Sequence, residues 1–196
     1  MVLELEELVI ATKNQGKLKE FQSMLLGVAK VIRSVPEDFV MPEETGSTFQ
    51  ENSLIKADAA SRALQLPVLA DDSGLMVDAL GGDPGVYSAR FGGEGLDDTG
   101  RNQLLLRQLQ TVPWEKRTAK FVAALTLVWP DGRKIEALGE CPGMILFDQK
   151  GEKGFGYDPV FYYPPLDRSF SEITMTEKNE ISHRTLALRN LLQKLK

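Results

Sequence analysis

The sequence predicts an α/β protein with a mixed sheet, and three observations carry that expectation. Short apolar runs alternate with stretches whose apolar residues recur at three- and four-residue spacing, the pattern of strands interleaved with helices. Two strand-like segments, Thr118 to Trp129 and Arg133 to Glu140, flank the turn sequence Pro130-Asp131-Gly132, so they form a hairpin and the sheet cannot be purely parallel. No internal repeat, low-complexity tract or long linker interrupts the 196 residues, which suits one domain spanning 1–196, or two lobes sharing a core.

The elements follow in order. Leu8 to Ala11 reads as a strand. Lys17 to Leu26 reads as a helix, with Leu18, Phe21 and Leu25 on one face. Ala29 to Val35 is a second strand, and Met41 to Ser47 a loop rich in acid and Gly. A helix starts at Thr48, where Glu51 three residues on completes a capping-box pattern, and runs to about Leu64. Pro67 to Ala70 is a buried strand ending in the polar Asp71-Asp72-Ser73-Gly74, and Leu75 to Leu80 continues extended. Gly81 to Gly95 is a Gly-rich loop too long to be mere connection. Asp98 to Leu109 is a helix. After the hairpin come a second Gly-rich loop, Gly151 to Asp158, and a strand at Pro159 to Tyr163. A last helix starts near Ser182, where Leu188, Leu191, Leu192 and Leu195 form a stripe.

Bulk properties exclude several classes. A net charge of −5 without a dense Lys/Arg run argues against general nucleic-acid binding. No stretch approaches about 20 apolar residues, so no membrane span is expected. The N-terminal MVLELEEL lacks a basic region and a long apolar run, so no signal peptide is expected. The single cysteine, Cys141, rules out an internal disulfide and suits a reducing, cytoplasmic setting.

Four stretches carry candidate chemistry. In Val9 to Phe21 a strand breaks at Thr12, passes through Lys13-Asn14-Gln15-Gly16-Lys17 and restarts as a helix. The Walker pattern fails at both ends, because Ala11 stands where Gly is needed and Leu18 where Ser or Thr is needed. Unpaired N–H groups at a helix start, with Lys13 and Lys17 beside them, still suit a phosphate. An ordinary helix start with solvated lysines fits the same residues. Asp71 and Asp72 are adjacent carboxylates, which repel unless a cation lies beside them. A hard divalent ion such as Mg²⁺ suits oxygen ligands. Glu43-Glu44 is a second acidic pair, and a solvated polar turn is the plainer account of either. The phosphatase signature Asp-x-Asp-x-Thr is absent, so Asp72 does not read as a phosphorylated nucleophile. In Gly154 to Phe161, two glycines bracket Phe155 and leave a ring on which a base can stack, or a core plug at a bend. Lys178 and Ile181-Ser182-His183-Arg184 place the only histidine beside an arginine near a helix start.

Together and in this order, Thr12-x-Asn14-x-x-Lys17, Glu43-Glu44-Thr45-Gly46, Thr48-Phe49-x-Glu51-Asn52, Ala70-Asp71-Asp72-Ser73-Gly74-Leu75, Pro84-Gly85-x-Tyr87-Ser88-Ala89-Arg90, Gly154-Phe155-Gly156-Tyr157-Asp158-Pro159 and Ile181-Ser182-His183-Arg184 resemble the inosine triphosphate pyrophosphatase family, which clears ITP, dITP and XTP. The resemblance spans nearly the whole chain, and no motif position departs from the pattern; Lys13 falls at a variable place. It implies an elongated two-lobed α/β fold, with a mixed twisted sheet flanked by helices, an active-site cleft between the lobes, and a homodimer. It implies that Thr12, Lys13, Asn14, Gln15, Gly16 and Lys17 hold the phosphates, and that Glu43 and Asp72 hold Mg²⁺, with Asp72 also the proton acceptor. Ser73 would touch the purine nucleoside triphosphate. Phe155, Gly156, Tyr157 and Asp158 would surround base and sugar, Lys178, His183 and Arg184 would complete the pocket, and Lys56 and Asp71 would support it. The implied reaction releases pyrophosphate and a nucleoside monophosphate, with Asp72 acting on metal-polarised water. Rival readings are a pyrophosphatase for modified pyrimidine nucleotides and a binding module without turnover.

Overall fold

The computed structural model describes residues 5–93 and 95–195. Met1 to Glu4 of the N-terminal stretch and Glu94 of the Gly81–Gly95 loop lie outside the described residues. In chain order the elements are β1 (Leu5–Ile10), α1 (Gln15–Met24), β2 (Ala29–Ser34), α2 (Phe49–Leu64), β3 (Val68–Val77), α3 (Asp98–Gln108), β4 (Thr118–Val128), β5 (Lys134–Ile145), β6 (Phe161–Tyr163), β7 (Arg168–Ser169), α4 (Met175–Ile181) and α5 (His183–Lys194). The seven strands form one sheet in the order β2-β1-β3-β4-β5-β6-β7. β1 pairs in parallel with β2 and β3, while β6 pairs antiparallel with β5 and β7. The sheet is therefore mixed and the protein α/β.

The structure departs from the sequence expectation along Asp71–Leu80, in the Gly81–Gly95 segment, and at β7 and α4. Asp71 to Gly74 does not form a turn; it continues β3, and the turn comes later as a 3-10 stretch at Asp78–Leu80. The Gly81–Gly95 segment contains a 3-10 stretch at Gly85–Arg90. β7 and α4 were not foreseen, although Thr174 and Glu177 form the same reciprocal capping box as Thr48 and Glu51.

The chain divides into two compact units. The first runs to Asp72 and adds Ala123–Gly139 and the segment from Arg184. Successive residues of a strand point to opposite faces, and each face here buries its own apolar layer. Leu8, Ile10, Leu69, Leu125 and Leu127 pack with Phe21 and Leu25 of the α1 end and with Ala187, Leu188 and Leu191 of α5. Val9, Ala11, Val68, Ala70 and Val128 pack with Ala57 and Ala60 of α2. On the α2 side the buried hydroxyls of Ser53 and Thr126 satisfy each other at 2.6 Å.

The second unit comprises Ser73–Val122 and Glu140–His183. Its core is aromatic: the Phe121 ring stacks on Phe170 and lies 4.5 Å from Phe161 between centroids, with Leu105 and Leu109 packed in the same cluster. Arg117 is buried here, with no carboxylate partner among the described residues. Its guanidinium donates to the carbonyls of Leu109 at 2.7 Å, Ile145 at 2.8 Å and Leu146 at 2.6 Å, and lies 4.4 Å from the centroid of the Phe147 ring. Leu109 caps α3, so the cation meets the negative end of that helix and ties it to the end of β5. A lysine has no planar fork to span these acceptors. Each stranded buried carbonyl costs about 1–3 kcal/mol. Arg117→Lys is therefore expected to lower stability by about 2–4 kcal/mol, read from the urea unfolding midpoint. An unchanged midpoint would show that the carbonyls do not depend on Arg117.

Candidate active site

In the first unit the predicted residues gather around the end of β3. Thr12 is buried, and its hydroxyl accepts from the Asn14 N–H at 3.1 Å. Asn14 caps α1, accepting from the Lys17 N–H at 3.0 Å, with Gln15 and Gly16 in the first turn. This cap directs the lysine side chain inward, where Lys17 Nζ meets Asp71 Oδ2 at 2.8 Å. Lys13 instead reaches out to the Glu37 carbonyl.

Asp71 and Asp72 occupy alternate positions of β3 and meet different cations. Asp71 shares the parity of Leu69, hence the face of α1 and α5. Its Oδ2 accepts from Lys17 and, at 3.2 Å, from Arg184 Nε. Asp72 shares the parity of Ala70, hence the face of α2. Its Oδ1 accepts from Lys56 Nζ at 3.0 Å. Lys56 also holds Glu44 at 2.7 Å, so one ammonium ties the 41–47 loop to the strand. That loop is fixed a second time, where buried Asn52 accepts from the Gly46 N–H at 2.8 Å. A side chain at Gly46 would come within 2.6 Å of the Asn52 amide, so only glycine permits the approach. Glu43 precedes this anchor and is exposed.

The two carboxyls are driven apart electrostatically. Burial raises the Asp71 carboxyl, but the Lys17 and Arg184 cations outweigh it and hold it well below the usual carboxylate range. Burial also raises Asp72, and here the pull of Lys56 and Lys17 does not cancel it, so this carboxyl stays above its ordinary value. Burial lowers Lys17 despite Asp71, whereas Asp72 and Glu44 together outweigh burial and raise Lys56. Asp72 Oδ2 is buried and has no hydrogen-bond partner among the described residues.

In the second unit the predicted residues gather on the 154–158 loop and α4. Asp158 Oδ2 accepts from the Phe155 N–H at 3.0 Å and from Lys178 Nζ at 2.6 Å. The Lys178 ammonium also lies 4.7 Å from the centroid of the Phe155 ring. Gly154 has a left-handed φ of 79°, and a side chain there would sit 2.1 Å from Asp158 Oδ2. Tyr157 is buried and donates to the Ser88 carbonyl at 2.9 Å. His183 is buried and stacks on Phe121 at 4.8 Å. Ser73 continues β3 directly after Asp72, and Arg184 follows His183, so the two groups of residues are joined through adjacent residues at two points of the chain. Cys141 is buried and its thiol is pushed up to about 12 by burial, so it offers no thiolate. Among the described residues no group of three or more His, Cys, Asp or Glu side chains is arranged to hold a metal ion.

A family model described as the Ham1 family matches residues 8–194. The chain belongs to the Ham1 family. Relatives named dITP/XTP pyrophosphatase include one from Halalkalibacterium halodurans, 46% identical over 189 residues that cover 95% of this chain and 97% of the relative. Another, from Geobacillus kaustophilus, is 48% identical, covering 95% and 93%. Among solved structures, the Staphylococcus aureus Ham1 protein superposes with a TM-score of 0.84 at 42% identity, covering 96% of this chain and 97% of that one. A HAM1 protein from Coxiella burnetii gives 0.87 at 39% identity, covering 97% and 98%.

Three residues of this Ham1 chain were not singled out from the sequence and matter to the site. Glu20 is buried and receives Arg184 Nη1 at 2.9 Å. Its available signal was its place three residues after Lys17, on the same side of α1. Asp98 and Asn102 both contact Gly156, and no sequence signal marked them.

Asp71 supplies a stability test. Its depressed carboxyl contributes stability that is present above the ordinary value of 3.8 and is lost as the pH falls below it. Asp71→Asn is expected to cost about 2–5 kcal/mol near neutral pH, because Lys17 and Arg184 lose a buried partner. The gap to the unaltered chain should narrow only below that pH, as measured by chemical denaturation across the acid range. A gap independent of pH would contradict the assignment.

Proposed function

We propose that this chain hydrolyses non-standard purine nucleoside triphosphates, ITP, dITP and XTP, to the monophosphate and pyrophosphate. The observation that carries the reading is the split pair on β3: a carboxylate locked to Lys17 and Arg184, followed by one that keeps a buried acceptor unused. The names of the relatives point to the same substrates.

In this reading Lys17, Thr12 and the start of α1 meet the phosphates. Lys17 supplies the charge, while Asn14 shapes the corner. Asp72 receives the proton of the attacking water. A carboxyl raised by burial is a better base than a free one, which suits it to the task near neutral pH. An oxygen–phosphorus bond forms at the α-phosphorus, the bond to the β-phosphate oxygen breaks, and pyrophosphate leaves. Positioning and charge neutralisation supply most of the rate.

An open carboxylate oxygen suits a hard divalent cation, and we assign it as Mg²⁺. Asp72 Oδ2 is an acceptor without a partner among the described residues, and Lys56 holds the Glu43-Glu44 loop to the same strand end. Asp72 and Glu43 would hold the ion. When bound it would offset charge on the phosphates and polarise water. Phe155 and Tyr157 are assigned to base and sugar; Asp158 and Lys178 hold Phe155, and the Ser88 carbonyl holds Tyr157. Selection is assigned to the purine 6-position: the donors of the His183-Arg184 pair suit a carbonyl and leave the amino group of adenine without an acceptor. Glu20 and Asp71 fix the guanidinium of Arg184 for this role. No helix of the described residues is long and apolar enough to cross a membrane. A cytoplasmic setting and a pair of identical chains belong to the same reading; they rest on the lone buried cysteine and on the family resemblance.

Pyrophosphate release from ITP, dITP, XTP, ATP and GTP, with and without Mg²⁺, tests the proposal. The expected outcome is Mg²⁺-dependent release from the first three, with kcat/KM for ITP at least about tenfold above ATP. Asp72→Asn should abolish turnover and retain nucleotide binding. Equal kcat/KM for ITP and ATP, or near-normal turnover by Asp72→Asn, would sink it.

A further inference from the structure

The 154–158 loop is held from outside by one face of α3. The Gly156 N–H donates to Asp98 Oδ2 at 2.8 Å, and the Gly156 carbonyl accepts from Asn102 Nδ2 at 2.9 Å. Asp98 and Asn102 stand four residues apart, one helical turn, so they present an acceptor and a donor side by side. Together they engage both backbone groups of a single residue. That residue is in the left-handed conformation, with φ of 62°, at the point where the loop reverses between Phe155 and Tyr157.

The clamp is itself rigidly mounted. Asp97 caps α3 by accepting the Gly100 N–H at 2.7 Å, and Arg117 ties down the other end through the Leu109 carbonyl. Asn102 is buried, while Asp98 is exposed. Tyr157 and Asp158 secure the far side of the loop, through Ser88 and Lys178. At Gly156, therefore, the loop takes its position from α3.

We propose that Asp98 and Asn102 are positioning residues for the nucleobase: by clamping Gly156 they set the neighbouring Phe155 ring against the base, while Tyr157 anchors the loop in the core. The inference rests on the reading of this loop as the base-binding element. It adds that the Gly156 N–H is committed to Asp98 and does not read the base. Neither clamp residue is assigned to the phosphates or to the attacking water. Their loss should weaken binding of the whole nucleotide evenly in ground and transition states, which raises KM and leaves kcat.

The test compares the unaltered chain with Asn102→Ala, Asp98→Ala and Asp98→Glu, measuring ITP turnover and competitive inhibition by inorganic tripolyphosphate, which has no base. The net worth of one such hydrogen bond predicts a rise in KM of up to about tenfold for Asn102→Ala and less for Asp98→Ala. kcat and the inhibition constant of tripolyphosphate should stay within about twofold, and Asp98→Glu, which keeps the carboxylate, should return KM toward its starting value. A fall in kcat at constant KM, or an equal loss of tripolyphosphate affinity, would overturn the proposal. If Asn102→Ala does not fold, the exposed Asp98 pair decides on the same criteria. Absence of ITP turnover by the unaltered chain would overturn the functional reading itself, and the clamp's role with it.

Discussion

The pleat of β3 turns two neighbouring carboxylates away from each other, and the chemistry assigned to this protein follows from that alternation. Side by side in a turn, Asp71 and Asp72 would repel and one would protonate or seek an ion. On opposite faces of a strand each meets its own cations. Asp71 faces α1 and α5 and takes Lys17 and Arg184; Asp72 faces α2 and takes Lys56. The same parity sorts Leu69 into one apolar layer and Val68 and Ala70 into the other. The packing that fixes the strand therefore also fixes which carboxylate stays ionised and which is raised by burial.

This network is a poor device for stability. Glu20, Lys56, Asp71, Asp72 and Arg184 are all buried, and a buried ion pair seldom outperforms apolar side chains of the same volume. Its worth lies in pre-organisation. Asp71 holds Lys17 and Arg184 in place, and Lys56 draws an acidic loop to Asp72. In the proposed reading, a site prepared in this way would meet a polyanion and its counter-ion without reorganising. The second unit applies the same economy to a loop. Asp158 gathers the Phe155 N–H and the Lys178 ammonium, α3 takes both backbone groups of Gly156, and glycine at 154 makes room for the carboxylate.

Much of the fold was legible in the sequence because local and tertiary preferences agreed. The Thr48-Glu51 capping box forms as written, the Pro130-Asp131-Gly132 hairpin forms, and the leucine stripe of α5 is buried. The failures have physical causes. Asp71-Asp72-Ser73-Gly74 has the composition of a turn, yet sheet pairing and two sets of cations keep it extended. β7 has two residues, too few for a periodicity to show. α4 has seven, and only its Thr174-Glu177 cap could have marked it. At the site, residue types identified Lys17, Asp72 and Phe155 as candidates, but not their partners. Glu20 lies 164 positions from Arg184, and Asn102 lies 54 from Gly156; contacts of such separation exist only once the chain has folded.

The divergence of the two carboxyls is the centre of this account, and it can be observed directly. A carbon-detected NMR titration of the side-chain carboxyls in the metal-free protein should find Asp71 ionised well below the ordinary aspartate value of 3.8 and Asp72 titrating above it. Titration of both at the ordinary value, or in the reverse order, would contradict it.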